Sequence, residues 1–183
     1  MKAMIIDDGG SYAGNGTGDY SNCGDWSVTE TKFPDFKGFV EKAHGLGVKV
    51  AVWFPVPFVG YNTKDYQKFQ GKLLYNSEQD KAGILDPRYP DVRKHIADTF
   101  ANMANQYNLD GLKLDFIDSF RCRDTALLCA DKCEGYDCSE VEEGIIRLLR
   151  EIRETLTAKK ADFMIEFRQY YVGPAIVRDT NML

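Results

Sequence analysis

Two charged side chains stand two residues apart on an otherwise apolar stretch in the middle of the chain, residues 111–116 (GLKLDF). Successive side chains of a β-strand point to opposite faces, so a strand here places Lys113 and Asp115 on one face. A cation beside a carboxylate can bind a polar ligand. A surface strand with its polar side outward has the same alternation, and the alternation alone favours that simpler interpretation. The surrounding sequence must decide between the two.

Other apolar runs also end in polar or aromatic residues. Collected near the ends of the four predicted strands are Asp7, Asp8, Trp53, Lys113, Asp115, Asp118, Glu166 and Arg168, and the polar loop at residues 11–31 adds Asp25 and Trp26. Carboxylates and cations bind sugar hydroxyls through charge-assisted hydrogen bonds, and aromatic rings cover the apolar side of a sugar ring. Cleavage of a glycosidic bond further requires two carboxyl groups. Together these residues predict a carbohydrate site.

Each of these residues also has an ordinary explanation. Asp8 precedes a glycine, which is common turn chemistry. Lys113 and Asp115 can form a structural ion pair, and Arg168 can do the same with Glu166. It is their joint position at the ends of the strands that favours a site.

The elements that must position these residues follow from the periodicity. Strands are predicted at 4–6, 48–54, 111–116 and 163–168, and helices with one apolar face at 35–46, 91–107 and 139–158. Ser139 and Glu142 have the spacing of a capping box at the start of the third helix. Residues 61–89 are polar and mixed, and fit a short helix around 63–72. We find no hairpin signal, so the order strand, loop, helix predicts parallel strands joined by crossover helices.

The loops differ in length on the two sides of each strand. Every loop after a strand is long and polar, and every loop before a strand is short, which is typical of a (β/α)₈ TIM barrel whose site lies at the carboxyl ends of the strands. A doubly wound open sheet is the alternative, but no GxGxxG or P-loop follows any strand. About four βα units amount to half of a barrel of roughly 250 residues. We therefore expect an incomplete parallel α/β barrel.

The composition excludes several classes of function. The chain has 183 residues and a formal net charge of −5, with no basic stripe to neutralise nucleic-acid phosphates. We expect no membrane partner either, because no apolar run is long enough to span a bilayer. The start shows no signal-peptide core, which predicts a cytoplasmic protein. Four cysteines lie close together in the chain without a CxxC pair: Cys122, Cys129, Cys133 and Cys138. We therefore expect reduced thiols or one loop disulfide in preference to a zinc site.

Several short motifs in the chain resemble those of a known family. Motifs occur in the order found in glycoside hydrolase family 36, the α-galactosidase or melibiase family: Ile6-Asp7-Asp8-Gly9, Gly24-Asp25-Trp26, Lys32-Phe33-Pro34, residues 47–53, Leu85-Asp86-Pro87, residues 112–116, and residues 165–169 with Gly173-Pro174. The similarity covers nearly the whole chain. Its most specific parts are the two neighbouring aspartates after the first strand and the Lys-x-Asp strand.

The resemblance implies a retaining hydrolase of terminal α-galactosides that needs no metal and no organic cofactor. Asp115 would be the nucleophile, and Lys113 would bind sugar hydroxyls and help to keep Asp115 ionised. Asp7 and Asp8 would hold the hydroxyls on C4 and C6. The remaining substrate-binding residues would be Asp25, Trp26, Trp53 and Arg168.

The chain departs from the family pattern in three places. Gly10 stands where members usually have tryptophan, and a cysteine-rich segment follows Asp118. The family's general acid/base aspartate belongs to a later strand, and the context of Asp179 does not match its motif. We therefore expect residues 1–183 to be part of a single (β/α)₈ catalytic domain, truncated at both ends, covering strands two to five and nearly inactive alone.

Other functions stay open at this point. A non-catalytic carbohydrate-binding half-barrel that self-associates as a homo-oligomer would use the same residues. An α-N-acetylgalactosaminidase is a further alternative, because its sugar differs from galactose at C2. A third alternative places magnesium among the carboxylates Asp7, Asp8, Asp115 and Glu166. Against the metal, Lys113 would put a second cation beside it.

Overall fold

The computed structural model describes residues 2–8, 19–24, 27–122, 134–170 and 173–181. Its elements in chain order are β1 (Lys2–Ile6), α1 (Phe36–Gly45), β2 (Val48–Pro55), β3 (Phe58–Gly60), α2 (Lys64–Phe69), β4 (Leu73–Ser77), β5 (Ala82–Leu85), α3 (Pro90–Tyr107), β6 (Gly111–Asp115), a 3₁₀ turn (Ile117–Ser119), α4 (Val141–Thr157), β7 (Met164–Phe167) and α5 (Pro174–Asp179). One sheet has the order β1-β2-β6-β7, and all its neighbouring strands are parallel. The predicted α/β class and the four parallel strands are confirmed.

Local sequence sets the helix boundaries. The Asp35 side chain accepts a hydrogen bond of 2.8 Å from the Gly38 N–H and so caps α1. Gly47, with φ of +71°, turns the chain after α1 into β2, a conformation that suits glycine. Pro90 occupies the first turn of α3, where its missing N–H costs nothing. At the other end of α3, Asn108 takes the left-handed conformation and leads into β6.

The two faces of the parallel sheet differ in chemistry. Apart from the half-buried Val48, the even-numbered residues of β2 and β6, such as Phe54 and Leu114, are buried and pack in one hydrophobic core with α1, α3 and α4. The Phe54 ring lies 4.8 Å from that of Phe100 on α3, which shows that this face points to the helices. The opposite face therefore carries the odd-numbered residues, among them Lys113 and Asp115.

A second, antiparallel sheet contradicts the expectation that the chain contains only parallel strands without hairpins. Its order is β3-β5-β4, and β4 and β5 lie within the segment 61–89 that the sequence pattern predicts to be polar and mixed. The strands have three to five residues, too short for alternation to stand out from the surrounding polar sequence. Lys81 with φ of +55° is the last residue of the turn that joins β4 to β5. The predicted helix in this segment is confirmed as the short α2, capped by Thr63.

The predicted capping box at the start of α4 is wrong. The helix is capped at Glu140, one residue later than expected, and no side chain makes a capping hydrogen bond there. The backbone oxygen of Ser139 instead accepts a hydrogen bond from the buried Arg88. A long-range contact thus engages the backbone of the residue before the cap. Of the helices in the part of the chain that the structure describes, none has the length and apolar character needed to cross a membrane.

Candidate active site

Strand register brings four of the predicted site residues onto one face of the parallel sheet. Trp53 on β2 lies opposite Lys113 on β6, and Lys113 lies opposite Glu166 on β7. Ile6 pairs with Val52, so Asp7, which follows β1, comes next to Trp53. Parallel strands in register present such partners on the same face. A row of charged and aromatic side chains therefore crosses the carboxyl end of the sheet.

Asp115 ends β6, and both of its carboxylate oxygens accept hydrogen bonds. Oδ2 accepts from the indole N–H of Trp53 at 3.0 Å, and Oδ1 accepts from the backbone N–H of Phe116 at 2.8 Å. The Nε of Arg168 lies 4.0 Å from Oδ2. The side chain is 20% exposed, so the carboxylate is held but still reachable. A carboxylate that is held in this way and can still be reached is suited to act as a nucleophile.

Lys113 pairs with Asp7 across β2. Its ammonium lies 2.7 Å from Oδ2 and 3.0 Å from Oδ1 of Asp7, and its side chain is 10% exposed. Burial raises the pKa of Asp7, but the hydrogen bond and charge of Lys113, with a backbone N–H from Asp8 and the charge of Arg168, lower it by more. The net pKa of Asp7 is below its ordinary value. Asp7 is therefore ionised at neutral pH and held in place by a nearly buried cation.

Phe116 turns the chain sharply at the end of β6. It adopts the left-handed conformation with φ of +63°, which a phenylalanine rarely takes and which costs about 1–2 kcal/mol. This turn directs its N–H back to Asp115. The ring stacks on Phe58 of β3 at 4.9 Å and meets Trp53 edge-on at 6.2 Å. The small antiparallel sheet thus supports the backbone that holds Asp115.

Tyr20 packs against the same aromatic side chains. Its ring centroid lies 5.0 Å from Phe58, 5.5 Å from Phe116 and 6.1 Å from Trp53. Its hydroxyl donates a hydrogen bond of 3.2 Å to Oδ2 of Asp8. Burial, followed by the charge of Asp8, raises the pKa of Tyr20 above its ordinary value. The phenol is therefore protonated, and it acts as a donor to the carboxylate.

The structure brings together most of the predicted site residues. Asp7, Asp8, Trp53, Lys113, Asp115 and Arg168 all lie at the carboxyl end of the parallel sheet, whereas Asp25 and Trp26 lie outside the described residues. Trp53 is only 2% exposed, so it contributes its N–H to Asp115, with its ring packed in the core. Asp118 accepts a hydrogen bond of 2.8 Å from the backbone N–H of Tyr170 and links the loops after β6 and β7. Within the described ranges, no three His, Cys, Asp or Glu side chains are grouped so that they could hold a metal ion.

The prediction from sequence missed Tyr20, Phe58 and Phe116 as site residues. Tyr20 belongs to the polar loop that was singled out for its length, and its contact with Asp8 spans twelve residues. Phe116 was counted as an ordinary core residue of the strand. An aromatic ring directly after a strand-end carboxylate is a signal that could have found it.

A family model described as Melibiase matches residues 1–135 of the chain. That match spans both neighbouring aspartates, Trp53, Lys113 and Asp115. The chain belongs to the Melibiase family. The resemblance carried by the Asp-Asp and Lys-x-Asp motifs is confirmed.

Relatives of this Melibiase-family chain are bacterial α-galactosidases. It is 29% identical over 121 residues to α-galactosidase 1 of Pediococcus pentosaceus. The aligned stretch covers 63% of this chain and 16% of that protein. Its fold resembles the α-galactosidase of Lactobacillus brevis, with 21% identity and a TM-score of 0.70 over 91% of this chain and 22% of that one. For the GH36 α-galactosidase AgaA of Geobacillus stearothermophilus the identity is 21% and the TM-score 0.71, over 91% and 23% of the two chains. The chain thus spans about a sixth of the curated relative it matches.

Proposed function

We propose that this chain forms about four βα units of a (β/α)₈ catalytic barrel that hydrolyses terminal α-galactosides with retention of configuration. One observation carries the proposal: Asp115 ends a central strand with both oxygens hydrogen-bonded and stands on the same face as Lys113. In barrel enzymes the residues that do chemistry lie at this end of the strands. Structures of AgaA variants in complex with raffinose and with stachyose support α-galactosyl oligosaccharides as substrates.

The reaction would proceed in two displacements at the anomeric carbon. In the first, an Asp115 oxygen attacks that carbon, the glycosidic C–O bond breaks, and the leaving oxygen keeps the bonding electrons and takes a proton from a carboxylic acid. In the second, a water molecule attacks the same carbon, its proton passes to the conjugate base of that acid, and the Asp115 carboxylate is released. Asp115 therefore has to be ionised at the start of each cycle.

The surrounding residues divide the remaining tasks. The Lys113–Asp7 pair offers one cation and one carboxylate to the sugar hydroxyls, and Asp8 offers a second carboxylate. Arg168, 4.0 Å from Asp115, stabilises the anion that reforms in the second step. We propose that the proton donor belongs to a further segment of the same catalytic domain, because this chain corresponds to 16% of its curated relative and 23% of AgaA.

A reagent that needs no acid isolates the role of Asp115. Fluoride leaves without a proton, and a second fluorine on the sugar ring slows hydrolysis of the covalent product. We expect 5-fluoro-α-D-galactosyl fluoride to label the purified chain once, with the added mass on the peptide that contains Asp115. Asp115→Asn should abolish labelling while far-UV circular dichroism is unchanged.

Other outcomes separate the alternatives. Binding of D-galactose without labelling would overturn the nucleophile assignment and support a non-catalytic carbohydrate-binding module. A label on another carboxylate would move the nucleophile. Release of D-galactose from raffinose by this chain, lost in Asp115→Asn, would overturn the assignment of the proton donor to a further segment, because the leaving sugar oxygen needs a proton.

A further inference from the structure

We infer that Tyr75, on β4 of the small antiparallel sheet, is a positioning residue for Asp115. Its hydroxyl holds the turn after β6, and the first backbone N–H of that turn fixes one oxygen of the proposed nucleophile. The inference rests on the proposed function, because it assumes that Asp115 attacks the sugar. Tyr75 acts on Asp115 through the backbone that lies between them.

Three hydrogen bonds connect Tyr75 to Asp115 in series. The Tyr75 hydroxyl donates to the backbone oxygen of Ser119 at 3.1 Å, and the Ser119 N–H donates to the backbone oxygen of Phe116 at 2.9 Å. The Phe116 N–H in turn donates to Oδ1 of Asp115 at 2.8 Å. Each bond fixes a neighbouring part of one turn, so movement of Ser119 disturbs the donor that Asp115 uses.

The turn after β6 carries backbone strain. Phe116 has φ of +63°, in the left-handed region that residues with a Cβ rarely adopt. Such a residue persists only where the surrounding structure holds it on both sides. The Val56 N–H holds the oxygen of the peptide unit before Phe116 at 3.1 Å, and the residues after Phe116 must supply the other restraint. Without that restraint, relaxation of Phe116 tilts the peptide unit and takes its N–H out of line with the Asp115 oxygen.

Tyr75 supplies this restraint from another part of the fold. The Phe58 ring on β3 stacks on the Phe116 ring at 4.9 Å, which restrains a side chain. The Tyr75 hydroxyl instead binds a backbone atom, the Ser119 oxygen, 44 residues away in sequence. That oxygen also accepts the Arg121 N–H at 2.8 Å within the loop. The bond from Tyr75 therefore ties a locally bonded turn to the small sheet.

The small sheet is a firm support for this bond, because one side of it is buried. Leu74 and Ile84 belong to the common hydrophobic core, together with Phe58. The pairing of β4 with β5 shifts by one residue between Leu73 and Tyr75, which forms a β-bulge. A bulge bends its strand and changes the direction of a side chain, and bulges are common beside active sites. The bulge thus gives Tyr75 a direction that regular alternation would not.

The kinetics of covalent labelling separate positioning of Asp115 from binding of the sugar. The 183-residue chain is treated with 5-fluoro-α-D-galactosyl fluoride at increasing concentration, which gives a limiting first-order rate and a half-saturating concentration. Tyr75→Phe removes only the hydroxyl and should lower the limiting rate roughly 3- to 10-fold, the range of one neutral hydrogen bond. The half-saturating concentration should stay within about 2-fold, because the side chains proposed to bind the sugar are unchanged.

Tyr66→Phe is the matched control. The Tyr66 hydroxyl donates to Oδ1 of Asn76 at 3.1 Å, and Asn76 follows Tyr75 directly on β4. This variant therefore removes a phenolic hydroxyl that contacts the same strand but binds an exposed side chain in place of the turn. It should be labelled at the rate of the unchanged chain.

Hydrogen exchange of the Phe116 amide, followed by NMR, tests the same link without any chemistry. This N–H donates to the Asp115 carboxylate, so its exchange rate reports how often that bond opens. Tyr75→Phe should raise the exchange rate at least about 3-fold, because the turn that carries the amide loses one hydrogen bond. The amide of Leu112 on β6 should exchange as before, and Tyr66→Phe should change neither.

Each other result has a defined meaning. Labelling of the unchanged chain with an undiminished limiting rate in Tyr75→Phe would overturn the role of Tyr75 and leave the proposed function standing. An equal loss in Tyr66→Phe, or a half-saturating concentration that rises as far as the rate falls, would show a merely structural role and overturn the inference. If the unchanged chain is not labelled, the proposed function fails, and the exchange rates still decide the link: faster Phe116 exchange in Tyr75→Phe supports it, and unchanged exchange overturns it.

Discussion

The indole N–H of Trp53 donates a hydrogen bond of 3.0 Å to Oδ2 of Asp115, from the neighbouring strand and two register positions before it. Trp53 is 2% exposed, so its ring has no freedom to withdraw. A buried tryptophan usually needs a partner for its N–H, and here that partner is the proposed nucleophile. Packing of the core therefore sets the position of a reactive oxygen.

Trp53→Phe should slow covalent labelling of Asp115. The variant keeps an aromatic ring but removes the donor, which is worth about 1–2 kcal/mol to a charged acceptor and corresponds to a roughly 5- to 30-fold lower rate. The rate of mass increase with the galactosyl fluoride measures the effect. Phe58→Leu, which disturbs the same aromatic cluster but keeps the indole N–H of Trp53, is the control. Equal slowing in both variants would show that packing, and not the hydrogen bond, matters.

The Lys113–Asp7 pair predicts a pH dependence of stability. The pKa of Asp7 in the folded chain is below its ordinary value, so the pair stabilises the fold above about pH 4, the pKa of an unfolded aspartate. That stabilisation is lost as the pH falls through the lower, folded pKa. In Lys113→Met the main cause of the low pKa is gone and this contribution disappears.

Urea unfolding of the two proteins between pH 2 and pH 7 measures this effect. The unfolding free energy of the unchanged chain minus that of Lys113→Met should be larger at pH 6 than at pH 2. Lys94→Met removes an exposed pair with Asp98 and should show a nearly constant difference. A difference for Lys113→Met that does not vary with pH would contradict the prediction.

Asp110 should be important for stability and irrelevant to chemistry. It is buried just before β6, where it accepts hydrogen bonds from Lys160 at 2.6 Å, His44 at 2.7 Å and the Val50 N–H at 2.8 Å. Burial raises the pKa of Asp110, and these three donors lower it by more, so the carboxylate is ionised. Asp110→Asn should lower the unfolding free energy by roughly 1–3 kcal/mol, because the buried amide has one acceptor oxygen in place of two and leaves at least one of the three donors without its partner.

Asp162→Asn is a suitable comparison at the same end of the sheet. Its partner is Lys49 at 2.8 Å, but its side chain is 69% exposed, so we expect a much smaller loss of unfolding free energy than for Asp110→Asn. Labelling of Asp115 per folded molecule should be unchanged in both variants, because the amino ends of barrel strands serve stability. A labelling defect in folded Asp110→Asn would show that the two ends of the sheet are coupled.

Gly60→Ala should loosen the segment that carries Tyr20. The added Cβ would lie 2.2 Å from the Ser21 oxygen, a backbone atom that cannot move without its segment. Overpacking of this kind costs about 1–3 kcal/mol. Thermal unfolding should show a lower midpoint for Gly60→Ala than for Gly71→Ala, where an added Cβ meets nothing within 4 Å. Equal midpoints would mean that the segment adapts freely.

Periodicity made the main elements predictable. The 3.6-residue repeat of α3 and α4, and the apolar run of β2, are strong local signals that packing reinforces. The antiparallel sheet was not predictable in the same way, since its strands have only three to five residues and show no clear alternation. The start of α4 was predicted one residue early, because the spacing of Ser139 and Glu142 does not produce a capping box in the folded chain.

The face shared by Lys113 and Asp115 could be read from the sequence alone, because side chains alternate along any strand. The partners of these residues could not. Lys113 pairs with Asp7, 106 residues earlier. Asp115 accepts a hydrogen bond from Trp53 on β2, the strand between β1 and β6. Register between parallel strands is set by the packing of the whole sheet, so it determines which distant side chains meet. The sequence therefore determines which chemical group each residue carries. The tertiary structure decides which groups are in contact, as it does for Tyr20 and Asp8.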